Sequence, residues 1–154
     1  MEFVTRKDIE APQEQVFGAL IDFSAFERQA LRNNIDVTRT SDVPAGLGAS
    51  WRIRFEFRNR PWTVDARITS FEPNSGYVIR GVSSGIDVEV TVDLLALSRN
   101  VTRLSATVTL LPRTLAMRVL VQSLRLVRGR IQAQLDDRIA RTARDVQDRW
   151  RASS

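Results

Sequence analysis

The chain has no cysteine and no histidine, and only one lysine and one tyrosine among its 154 residues. Without cysteine there is no disulfide, no thiolate metal site and no thiol nucleophile. Without histidine the commonest general acid/base, the commonest transition-metal ligand and every Ser–His pair are gone. No run approaches the roughly 20 apolar residues a membrane-crossing helix needs. The opening Met1-Glu2-Phe3-Val4-Thr5-Arg6 lacks the basic, apolar, small-residue order of a secretory leader, so a soluble, cytoplasmic protein is expected. No metal or other cofactor is expected either, and no residues form a catalytic motif. The chemistry left is that of carboxylates, arginines, hydroxyls and apolar surface.

Arginine supplies 22 of the 23 basic residues, and the net charge is +5. The arginines are spread along the chain and interleaved with acids, and no nucleic-acid-binding motif accompanies them, so no nucleic-acid partner is expected. Apolar content of 43% and charged content of 27% suit a globular chain. Residues 1–154 fit one domain, able to bury roughly 70% of its unfolded surface.

Weak alternation over residues 1–10 predicts a strand, closed by Ala11-Pro12. Pro12 suits a first helical turn. Val16, Phe17, Leu20 and Ile21 then form an apolar face, and Ser24 is placed to cap a second short helix holding Phe23, Phe26 and Leu31. Two short helices are therefore expected over 12–32. From about residue 34 to 111 the period is two, and six strands follow one another through short turns. Trp51, Ile53, Phe55 and Phe57 share one face, and so do Trp62, Val64, Ala66 and Ile68. Ile86, Val88, Val90, Val92 and Leu94 form a third such row, and Leu104, Ala106, Val108 and Leu110 a fourth. Connections this short make an antiparallel meander, since parallel crossovers need about a dozen residues or more.

After Pro112 the period becomes helical. Leu120, Leu124, Val127, Ile131, Leu135, Ile139, Ala143, Val146 and Trp150 lie on one face, opposite Arg125, Gln132, Asp136, Arg144 and Asp148. One helix over 113–151, a rod of about 55 Å, is the expectation, with Gly129 marking a bend or a close approach. Only this helix is long enough to cover the sheet's apolar face. The fold class is therefore α+β: a seven-stranded curved antiparallel sheet wrapped around a long C-terminal helix, with two short helices after strand 1. A single helix fills such a sheet incompletely, so a cavity is expected between them.

The opening Ile9-Glu10-Ala11-Pro12-Gln13-Glu14-Gln15-Val16-Phe17, then Leu20-Ile21-Asp22-Phe23 and Phe26, resembles the start of the helix-grip superfamily. That group includes START-related and birch pollen allergen-like domains. Gly46-Leu47-Gly48 before a Trp-initiated strand resembles its bacterial polyketide cyclase/dehydrase-like branch. The resemblance spans essentially the whole chain and rests on structural motifs, so it speaks to fold more than to function. It implies a central cavity that binds a lipophilic small molecule, with cyclisation or dehydration catalysed there in a minority of members. The missing histidine departs from the enzymatic pattern.

Ten residues are the expected cavity lining: Trp51, Ile53, Phe55, Trp62, Val64, Tyr77, Val90, Val108, Leu120 and Leu124. All are apolar or aromatic on faces that must turn inward, and any of them would equally serve as ordinary core. One of Tyr77 and Arg80, on opposite faces of a regular strand, is a candidate polar contact inside the cavity, and a solvated surface pair is the alternative. Lys7 shares the parity of Phe3, Thr5 and Ile9 and is expected to reach water near a strand end. Asp87, Glu89 and Asp93 are expected on a solvated face, paired with arginines. An access route is expected between the first third of the long helix and the loops at 46–48 and 83–85. Leu115 to Arg130, taken alone, has the composition of an interfacial helix, consistent with transient membrane contact.

The leading expectation is a non-enzymatic carrier of a hydrophobic small molecule, with no nucleic-acid partner. A polyketide cyclase/dehydrase-like enzyme comes next, and a ligand-free protein-interaction module third. The residues name no particular ligand, pathway or oligomer.

Overall fold

A computed structural model describes residues 1–153. Strand β1 (Glu2–Ile9) leads into helices α1 (Gln13–Leu20) and α2 (Phe23–Arg32). The meander follows as β2 (Asp36–Arg39), β3 (Ser50–Phe57), β4 (Arg60–Glu72), β5 (Gly76–Ser83), β6 (Ile86–Ser98) and β7 (Val101–Pro112). All seven strands form one antiparallel sheet in the order β1-β7-β6-β5-β4-β3-β2. The sheet thus runs consecutively from β2 to β7, and β1 closes against β7 at the far edge. Register shifts in β4 between Ile68 and Ser70 and in β6 between Ala96 and Ser98 bend their strands, as bulges do.

Alternation sorts the side chains as expected. Asp87, Glu89 and Arg80 meet on the outer face, with Arg80 3.2 Å from each acid and Arg113 3.0 Å from Asp87. Arg52 pairs with Asp65 and Arg103 with Asp8 on the same side. The exposed Arg52–Asp65 and Arg103–Asp8 pairs add little stability individually, the Asp87 carboxylate is largely buried, and Asp93, expected to pair with an arginine, is exposed and makes no ion pair among the described residues. Phe3, Thr5 and Ile9 are buried while Lys7 is exposed, because its flexible stem carries the ammonium out to solvent. Thr102 is fully buried, and its hydroxyl donates to the Ala11 carbonyl at 2.9 Å, joining β7 to the segment after β1.

One local expectation needs correction. The second helix is capped by Asp22, whose Oδ1 accepts from the Ala25 amide at 3.2 Å, and Ser24 lies within the first turn. Asp22 fits the role because a carboxylate reaches the free amides of that turn and opposes the helix dipole. The β3–β4 turn is the pair Arg58-Asn59, both left-handed, and Arg60 and Pro61 already belong to β4. A two-residue turn with two positive φ values matches the right-handed twist of the strands it joins.

The larger correction concerns the C-terminal helix. It is not one rod from 113 to 151 but α3 (Leu115–Leu124), a 3-10 turn (Arg125–Val127) and α4 (Arg128–Ser153). Thr114 caps α3, its hydroxyl accepting from the Met117 amide. At the other end the Ser123 hydroxyl donates to the Leu120 carbonyl at 2.6 Å. That back-bond competes with the helical ladder for the carbonyl. The next amide, of Arg125, turns to the closer Gln122 carbonyl, the tighter spacing of a 3-10 turn. A Cβ at Gly129 would meet nothing within 4 Å, so that glycine marks no close approach.

The break lets the two halves face different parts of the sheet. Buried Met117 and Val121 of α3 pack on Ile86 at the β5–β6 end. Helix α4 is clamped along β1: Thr5 Oγ1 donates to Asp136 at 2.7 Å, and Gln132 Nε2 donates to the Val4 carbonyl at 2.9 Å. Gln132 and Asp136 therefore lie along the β1 edge, Gln132 half-buried and Asp136 still exposed. Two apolar clusters result, a large one at the α1–α2 end and a small one under α3.

Candidate ligand-binding site

Between the two clusters the concave face of the sheet is only half covered. Along β6 the inward residues Ile86, Val92 and Leu94 are buried, whereas Val88 and Val90 between them are not. The neighbouring inward residues Ile53, Phe55, Val64, Ile79 and Val108 are likewise partly accessible. Close packing leaves no void larger than a water in an ordinary interior, so apolar side chains facing inward yet reachable by solvent define a cavity. Gly81 contributes to its floor. A Cβ there would sit 2.8 Å from Val64 Cγ1, so a larger residue would displace Val64 into the free space.

One cavity of about 370 Å³ opens between α2 and the strands β2 to β5, with Arg138 of α4 at its edge. Its wall is aromatic. The Phe23 ring lies 4.9 Å from Trp51 and 5.7 Å from Tyr77, tilted or edge-on in both cases. Ile53, Ile79 and Val37 complete the apolar floor. The volume falls within the usual span for small-molecule sites.

The polar groups of this cavity are already committed, with one exception. Glu27 Oε1 accepts from Trp51 Nε1 at 2.9 Å and from Arg39 Nε and Nη2 at 3.1 and 2.8 Å. This network joins α2 to β2 and β3, fixes the indole, and pairs the carboxylate with a guanidinium. Tyr77 points inward, and its hydroxyl donates to the Leu20 carbonyl at 2.8 Å. Burial pushes its phenol far above the usual value, because the charged form loses its water. The exception is Arg138, whose guanidinium has no hydrogen-bond or ion-pair partner among the described residues.

The raised Tyr77 pKa gives a testable pH dependence. Below about pH 10 the phenol is neutral in both folded and unfolded chains, and its contribution is complete. Above that pH the unfolded phenol ionises first, so stability falls as pH rises. Urea midpoints measured across the alkaline range should decline in the wild type, and Tyr77→Phe should flatten that decline. An equal decline in the variant would show that the phenol does not govern it.

A second cavity, of about 400 Å³, lies between the β3–β4 hairpin and α3. Phe57, Trp62, Met117 and Leu120 line it, and Arg58 bridges its rim by donating to Ser123 Oγ at 3.1 Å.

No family model and no curated protein matches the chain, but solved structures do. A Thalictrum flavum norcoclaurine synthase point mutant, in complex with a transition-state analogue, aligns over 97% of this chain and 95% of its own, with TM-score 0.69 and 8% identity. The protein TTHA0849 from Thermus thermophilus aligns over 100% and 99%, with TM-score 0.68 and 15% identity. The Zhui aromatase/cyclase from Streptomyces sp. R1128 aligns over 74% and 69%, with TM-score 0.57 and 15% identity. This chain has the helix-grip fold. Identities this low carry the architecture and leave the chemistry to the residues.

Within the helix grip, three of the ten expected lining residues, Trp51, Ile53 and Tyr77, come together at the first cavity. Trp62 and Leu120 come together at the second. Phe55, Val64, Val90, Val108 and Leu124 are partly buried and line neither of these two openings. The expected entrance beside residues 83–85 is shut. Gly85, at φ +80°, presses its backbone against Thr114 and Met117, and its carbonyl accepts from the Arg113 amide at 2.7 Å. Openings lie instead beside α2 and beside the β3–β4 hairpin. Sequence reasoning missed Phe23, Phe26, Glu27, Arg39 and Arg138 as site residues. A signal existed for Glu27, which sits among Phe23, Phe26 and Ala30 at spacings of three, one and three, a charge on the apolar face of a helix.

Proposed function

We propose that this helix-grip protein binds a lipophilic small molecule on the concave face of its sheet, entering beside α2, and carries it without chemical change. The observation that carries the reading is the roughly 370 Å³ apolar cavity, whose polar groups other than Arg138 are already paired within the protein. Removing apolar surface from water supplies affinity, and the committed Glu27–Arg39–Trp51 network holds the wall in place without demanding a partner from the ligand. Arg138, at the cavity edge, orients a hydrogen-bond acceptor on the ligand. Of the ten expected lining residues, Trp51, Ile53 and Tyr77 make the contacts at this mouth, and Val90 and Val108 extend the apolar floor inward. The expected setting is cytoplasmic.

A second reading, catalysis, is favoured by two observations: Tyr77 points into the cavity, and two fold neighbours are named as a synthase and an aromatase/cyclase. Proton transfer works best from a group whose pKa lies near the working pH. The Tyr77 phenol is pushed away from that range and spends its proton on a backbone carbonyl, which supports the carrier. Native mass spectrometry of protein purified from its own host, followed by organic extraction, tests the choice. A stoichiometric lipophilic adduct is expected. A bare protein that converts polyketide-like substrates and loses that activity in Tyr77→Phe would overturn the carrier reading.

A further inference from the structure

Between Leu94 and Leu135 the chain carries seven arginines and no aspartate or glutamate. The centre of this acid-free stretch is α3 and its 3-10 turn, where Leu115, Val119 and Leu126 stand 77%, 59% and 90% exposed. Leu115 and Val119 are four residues apart and share a helical face. The core requirement of α3 is met by Met117 and Val121, which are buried, so the exposed aliphatics do no packing. Arg118, Arg125 and Arg130 are exposed beside them, and their guanidiniums have no hydrogen-bond or ion-pair partner among the described residues. Of the same seven, Arg103 and Arg113 pair with Asp8 and Asp87 on the sheet, as Arg52 and Arg80 do with Asp65 and Asp87, so the uncompensated charge here is that of the helical segment. Across the second cavity Phe57 is also exposed, next to Arg58 and cross-strand from Arg60 at the hairpin tip.

Exposed aliphatics ringed by uncompensated cations complement a surface that is anionic outside and apolar beneath. A bilayer containing acidic lipids has that profile. Nucleic acid would engage the arginines but leave the leucines in water. A protein groove would cover the leucines but has to supply the missing acids. We propose that this end of the molecule docks on anionic membranes. Leu115, Val119 and Leu126 enter the headgroup–acyl boundary, and Arg118, Arg125 and Arg130 contact the lipid phosphates. The second opening then faces the bilayer. The inference rests on this surface alone and stands whether or not the cavity carries a ligand.

Flotation with phosphatidylcholine vesicles, with and without phosphatidylglycerol, tests it. The wild type is expected to float only with the acidic vesicles and to be released by molar salt, as screening requires. Arg118→Gln with Arg125→Gln should weaken partitioning about thirtyfold, at about fivefold per charge. Leu115→Ser with Leu126→Ser should weaken it at least about tenfold, and melting curves should be unchanged because these side chains are exposed. Protein left in the aqueous fraction with acidic vesicles, or equal flotation of the folded variants, would overturn the proposal. Self-association abolished by the leucine pair, without flotation, would overturn it in favour of a protein interface.

Discussion

Ile68→Ala is expected to lower unfolding free energy by about 3–5 kcal/mol, and Ile79→Ala by no more than about half of that. The two isoleucines are direct cross-strand partners on β4 and β5 and point to the same side of the sheet. Ile68 is fully buried within the large cluster, so truncation removes its contacts and leaves a void that rigid neighbours cannot fill. Ile79 borders the cavity and is already partly accessible, so its truncation removes fewer contacts and merely enlarges an existing space. For a domain of this size the larger loss corresponds to a fall in Tm of about 10 °C. Paired thermal and urea unfolding of the two variants measures the difference. Equal losses would mean that the concave face is packed solid at Ile79, and the cavity would have to be abandoned.

Ala30→Trp is expected to reduce binding of a lipophilic ligand or an apolar fluorescent probe by at least about tenfold, while the protein stays folded. Ala30 lies on α2 at the mouth of the first cavity, opposite the Trp51 wall. An indole there has free volume to occupy rather than close-packed neighbours to displace, so the overpacking penalty of about 1–3 kcal/mol seen in dense cores does not arise. Filling the space with apolar surface should leave stability unchanged or slightly raised, and that second readout separates a blocked site from a damaged fold. Probe titration and a melting curve on one sample decide it. Undiminished binding would move the ligand to the second cavity or deeper along the sheet, and the α2 entrance would be wrong.

Much of the architecture was legible because it depends on period. Strands with one dry face announce themselves by alternation, as Trp51 to Phe57 and Ile86 to Leu94 do, and short turns between them leave only a meander. The cavity followed from counting one covering helix against seven strands. The 3-10 turn after Leu124 was not legible, because the apolar stripe runs through it at undisturbed spacing and the local signal is one hydroxyl, Ser123, bonding backward. The site was half legible. Parity told which residues face inward, but the distinction between filled and unfilled parts of that face depends on where α3 and α4 land. That depends in turn on the clamp of Thr5, Gln132 and Asp136, which links positions far apart in the chain. Lining residues from α2 were missed because its aromatic face was read as core alone.

Pairing of β1 with β7 has a consequence for how the nascent chain acquires this structure. Glu2 lies opposite Thr109 and Ile9 opposite Thr102, whereas β3 to β7 each pair with the strand before them in the chain, β4 to β7 through short turns. The hairpins can zip as they leave the ribosome, but β1, made first, has no strand partner until β7 has been synthesised. Closing so long a loop is entropically slow compared with adjacent hairpins. The α4 contacts that secure β1 come later still. The first strand is therefore among the last to be locked, and during that wait β7 presents an open edge on which another chain can pair.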